Sequence, residues 1–62
     1  MKKYKIIDVY TVDEVAEALK LHPYTIRRLS REKKIPAFKV GGQWRFKKSK
    51  ITAWLEKQEK TR

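Results

Sequence analysis

Between Pro23 and Lys33 the chain sets Tyr24, Arg27, Arg28 and Arg31 at the i, i+3, i+4, i+7 spacing of one helical face. At about 100° per residue they share a band roughly 100° wide, opposite Ile26 and Leu29. No acid falls inside the band, and Glu32 flanks it. Each guanidinium presents a planar fork of donors that matches guanine or a phosphate, and Tyr24 adds a hydroxyl and a flat ring. This is chemistry for holding a polyanion, and a helix laid into the major groove of DNA uses such a face. A merely solvated basic face has the same spacing, so the distribution of charge over the rest of the chain must separate the two.

Residues for covalent or acid–base chemistry are scarce. His22 is the only histidine, and no carboxylate, serine or cysteine constellation surrounds it. The absence of cysteine excludes a disulfide framework and a thiolate metal site. Thr11 and Ser49 stand where helices start and are read as caps. The chain is therefore expected to be no enzyme, with no catalytic residues, cofactor or metal.

The basic excess lies in the middle of the chain. Seventeen Lys and Arg oppose seven Asp and Glu, a net +10 over 62 residues. Residues 1–19 carry Lys2, Lys3 and Lys5 against Asp8, Asp13, Glu14 and Glu17, while residues 20–50 carry eleven basic side chains against Glu32 alone. That basic stretch also holds Leu21, Ile26, Leu29, Ile35, Phe38, Val40, Trp44 and Phe46. It is a folded surface and not a tail. The length suits one small domain over 1–62. No apolar run is long enough for a membrane span or signal peptide, and the apolar faces are needed for a core, so a membrane partner is not expected. A cytoplasmic location is the default.

The elements that position these residues can be read in turn. After an N-terminal arm over 1–9, Thr11-Val12-Asp13-Glu14 forms a capping box, with Tyr10 and Val15 as its staple. Val12, Val15, Ala16 and Leu19 give the apolar stripe of a helix over 12–20. His22 caps a second helix over 23–33, with Pro23 at its first position. The short break between them fits a helix-turn-helix corner. Phe38 to Phe46 reads as a hairpin. A three-residue Gly41-Gly42-Gln43 loop is expected, because it pairs Val40 with Trp44 and Phe38 with Phe46 and so segregates the faces. It also sets Lys39 against Arg45, a repulsion that a nearby phosphate would relieve. A last helix over 48–59 carries Ile51, Trp54 and Leu55 and has no heptad extension for a dimerising coiled coil. Trp44 and Trp54 are read as core, in preference to stacking platforms for single-stranded nucleic acid.

From Val12 to Leu55 the chain resembles the excisionase-like branch of the MerR-type winged helix-turn-helix family. The matching stretches are Thr11-Val12-Asp13-Glu14-Val15-Ala16, Thr25-Ile26-Arg27-Arg28-Leu29, Ile35-Pro36-Ala37-Phe38-Lys39-Val40-Gly41-Gly42, Trp44-Arg45-Phe46 and Ala53-Trp54-Leu55. The family commonly has Gly where Lys20 and Lys33 stand, and a Ser-like cap where His22 stands. Lys33 is thus expected to enter the left-handed region at a cost of roughly 1 kcal/mol. The resemblance implies that the second helix enters the major groove and that the hairpin wing lies on backbone or minor groove. It makes Tyr24, Thr25, Arg27 and Arg28 base-reading candidates, puts Arg31 on phosphate, and has Lys39, Gln43 and Arg45 touching backbone or minor groove.

The expected fold is α+β, a small winged helix-turn-helix with a two-helix corner, a hairpin wing and a C-terminal helix. The expected function is sequence-specific binding of double-stranded DNA by an excisionase-like factor. It would be monomeric when free and cooperative on adjacent sites. A small MerR-like transcriptional regulator is the alternative. So is a protein-interaction module that recruits a recombinase or integrase through the acidic face of the first helix.

Overall fold

The computed structural model describes residues 8–60. Two helices form a corner: α1 spans Val12–Leu19 and α2 spans Pro23–Arg31. The capping box at the start of α1 is complete. The Glu14 amide donates to Thr11 Oγ1 at 3.2 Å, and the Thr11 amide donates to Glu14 Oε1 at 2.8 Å. Two otherwise orphaned donors are thereby satisfied. His22 caps α2 through Nδ1, which accepts from the Tyr24 amide at 3.0 Å.

Both helices close in the same way. Lys20 and Lys33 take φ of 60° and 61°, the left-handed region. The Leu21 amide donates to the Ala16 carbonyl at 2.9 Å, and the Lys20 amide donates to that of Glu17 at 3.2 Å. Lys34 and Lys33 repeat the pattern onto Leu29 and Ser30, at 2.9 and 3.1 Å. These are two Schellman motifs with lysine in the position glycine favours. They stop α1 at Leu19 and α2 at Arg31, short of the 20 and 33 expected, because a left-handed residue cannot extend the helix.

The sheet has three antiparallel strands in the order β1-β3-β2, where β1 is Val9–Tyr10, β2 is Phe38–Val40 and β3 is Gln43–Lys47. Strand β1 was not expected. Of the arm assigned to 1–9, residues 1–7 lie outside the described residues, and Val9 pairs with Lys47 while Tyr10 pairs with Phe46.

The hairpin register corrects the expected one. Val40 faces Gln43, Lys39 faces Trp44 and Phe38 faces Arg45, so the loop is the two residues Gly41-Gly42. Their φ values of 57° and 80° give both central positions the positive φ of a turn whose twist matches the flanking strands. Phe46 does not need Phe38 for its burial. With β3 central, Phe46 instead meets Tyr10 and the helices, and is fully buried. Phe38 and Val40 are left 39% and 56% exposed on the outer face. Lys39 and Arg45 are not opposed, so the expected repulsion does not arise.

Val12, Val15, Ala16, Ile26, Ile35, Phe46 and Ile51 form the core, with Trp44, Trp54 and Leu55 packed against it. Buried Ser30 donates its hydroxyl to the Ile26 carbonyl at 2.8 Å, which removes the cost of an unsatisfied polar group. Helix α3, Lys48–Lys60, follows β3 directly. Ser49 therefore lies inside it and is not its cap. The Lys48 amide is met by the Asp8 carbonyl at 3.2 Å.

Candidate nucleic-acid interface

With Ile26, Ser30 and half-buried Leu29 turned into the molecule, α2 presents its opposite side to solvent. Tyr24 is 62% exposed, and Arg27 and Arg31 are exposed on the same side. Arg28 is less available. Its guanidinium lies 3.6 Å from Glu32 Oε1, and Lys34 Nζ reaches the same oxygen at 3.7 Å. An acid that flanks the stripe in a helical projection thus ties back one of its arginines. Thr25 is half-buried at the edge of the face.

The wing supplies a second set of donors. Lys39 places Nζ 5.0 Å from the centroid of the Trp44 ring, a cation–π geometry that holds the ammonium over the inner face of the hairpin. On the outer face Arg45 donates to Gln43 Oε1 at 2.9 Å and to the Trp44 carbonyl at 2.8 Å. Its guanidinium is held toward the tip, and its remaining donors are uncommitted in the described structure. The Gly41-Gly42 tip carries no side chain, and nothing lies within 4 Å of where a Cβ would stand.

Helix and wing meet around an open cleft of about 570 Å³. Arg27 enters it from α2, Lys39, Gln43 and Arg45 from the wing, and Thr11 and Asp13 from the start of α1. Three cations against one carboxylate make this cleft attractive to a phosphate backbone. Four of the eight candidate residues converge here. Tyr24, Thr25, Arg28 and Arg31 do not line the cleft and instead belong to the outer side and flanks of α2.

Among the described residues no group of three His, Cys, Asp or Glu could hold a metal, and no helix is long and apolar enough to cross a membrane. The residue that spacing alone undervalued is Glu32. Its i−4 relation to Arg28 was the available signal.

A family model for a helix-turn-helix domain matches residues 9–59, from β1 to the penultimate described residue of α3. No curated protein and no solved structure matches the chain significantly.

Proposed function

The chain belongs to the helix-turn-helix domain family and binds double-stranded DNA, and from that premise we propose that it is a sequence-specific, excisionase-like architectural factor. In this reading α2 enters the major groove, where Tyr24, Thr25 and Arg27 read base edges. Arg28 joins them once it leaves Glu32, and Arg31 holds phosphate. The wing lies along backbone or minor groove through Lys39, Gln43 and Arg45. The observation that carries the proposal is the shared cleft, which sets Arg27 of the helix beside three wing residues.

The free protein is monomeric in this proposal. Helix α3 turns Ile51, Trp54 and Leu55 toward the core and leaves no heptad seam for a partner. Affinity on a natural site then comes from adjacent copies, with bending of the duplex. The acidic outer side of α1, with Asp13, Glu14 and Glu17 exposed, is the surface offered to a recombinase.

Fluorescence anisotropy on two labelled duplexes across a salt series tests this. One duplex is taken from upstream of the protein's own gene and the other is scrambled. Engagement of about five to seven phosphates gives a log–log salt slope near −5 to −6. Preference for the native duplex supports specific readout. Equal binding to both removes the case for it at that site. Failure to bind either at low salt defeats the proposal.

A further inference from the structure

The four arginines among the described residues all sit on α2 and the wing. A second basic region, around Pro36 and Ala37, is built differently. Two adjoining hollows, of about 370 and about 510 Å³, share Pro36, Ala37 and Lys50. Their floor is apolar, with Phe38 in one and Trp54 in the other. Their rim is lysine throughout: Lys47 and Lys50 around the first, Lys33, Lys34, Lys50 and Lys57 around the second. Among the described residues no acid lines either hollow, and Lys34 shares the Glu32 carboxylate at 3.7 Å. Strand β2 is an edge of the sheet and is exposed along its length.

We propose that this lysine-rimmed groove docks an extended acidic peptide segment of a partner protein that carries an aromatic or branched apolar residue. Charge complementarity selects the acid, since flexible ammonium groups meet flexible carboxylates without the planar fork that base readout uses. The concave apolar floor selects the apolar anchor. A duplex backbone is convex and polar and gains little by covering Phe38 and Trp54. The two hollows adjoin through Pro36, Ala37 and Lys50, which suits an extended segment that runs from one into the other. This surface is distinct from the acidic side of α1 and from the DNA face.

The test uses the full chain labelled with ¹⁵N and an unlabelled eight-residue peptide, a central Leu-Phe pair flanked on each side by three Glu. Expected are shifts at the Ala37, Phe38 and Ala53 amides and the Trp54 indole, with the Arg27–Arg31 amides unmoved. An all-Glu peptide of the same length binds about tenfold more weakly, because the apolar contribution is gone. The double variant Lys47→Gln/Lys50→Gln weakens the Leu-Phe peptide about fivefold, and its duplex salt slope stays within about 0.5 of the parent's. A fall in that slope by about two makes the groove a second phosphate surface and overturns the proposal. So does a titration that perturbs the α2 face, one in which both peptides bind alike, or one that perturbs nothing.

Discussion

Arg28 and Glu32 face each other across one turn of α2, with guanidinium and carboxylate 3.6 Å apart. Both side chains are about two-fifths exposed, so water screens most of the attraction. The order is also the weaker one, base before acid, and Glu32 stands at the C-terminal end of the helix, where the dipole disfavours it. Glu32→Gln is therefore expected to change stability by less than about 0.5 kcal/mol in urea denaturation. Its larger effect is on binding, where releasing Arg28 and removing a negative charge raises duplex affinity about threefold or more at low salt. Unchanged affinity in anisotropy would mean that Arg28 does not reach the DNA.

The two left-handed lysines make a separate prediction. Glycine relieves the clash of Cβ with the backbone at positive φ, so Lys20→Gly and Lys33→Gly should each stabilise the fold by about 1 kcal/mol. For a domain of this size that is a rise in melting temperature of roughly 4–8 °C. A drop in either variant would show that the residue does not close its helix in the left-handed conformation.

At the wing tip, Gly41 has room for a side chain but a φ of 57°. Asparagine tolerates that conformation and a β-branched residue does not. Gly41→Asn should leave the hairpin intact, and Gly41→Val should cost about 1–2 kcal/mol. Cross-strand NOEs between Val40 and Gln43 report the register directly. NOEs between Val40 and Trp44 as facing residues would restore the three-residue loop.

The roles proposed for Arg27 and the wing separate in binding data. Arg27→Ala should cost about 1–3 kcal/mol on the preferred duplex and relax discrimination at one position. Lys39→Ala and Arg45→Ala should weaken all duplexes alike and lower the salt slope by about one each. A reversal of these patterns would exchange the two surfaces' roles.

Local signals marked the starts of α1 and α2 but not that of α3, where Ser49 lies inside the helix because β3 runs straight into it. Thr11 with Glu14, and His22 with Pro23, mark both helix starts because a cap and its target lie within three residues. The stripe on α2 is equally short-range, whereas the left-handed Lys33 was expected only from the family resemblance, which has glycine there. What was not legible depended on distant segments. Two residues, Val9 and Tyr10, are too few to announce a strand, yet their pairing with Phe46 and Lys47 makes β3 central. Without that neighbour the sequence offers Phe46 no partner but Phe38, and the three-residue loop follows from pairing them. The convergence of Arg27 with Lys39, Gln43 and Arg45 is likewise a product of tertiary packing, which no spacing along one helix encodes.

The position of β3 also governs how the molecule comes apart. This strand contacts β1, β2, α1 and α3, and its Phe46 is at the centre of the core. The pairing of residues 9–10 with 46–47 ties the segment that enters α1 to the base of the wing. Helices and hairpin should consequently unfold as one cooperative unit, and not as two modules joined by a loop. Native-state hydrogen exchange should give Tyr10, Val15 and Phe46 a common opening free energy, while the amides beside the Gly41-Gly42 turn fray far more readily.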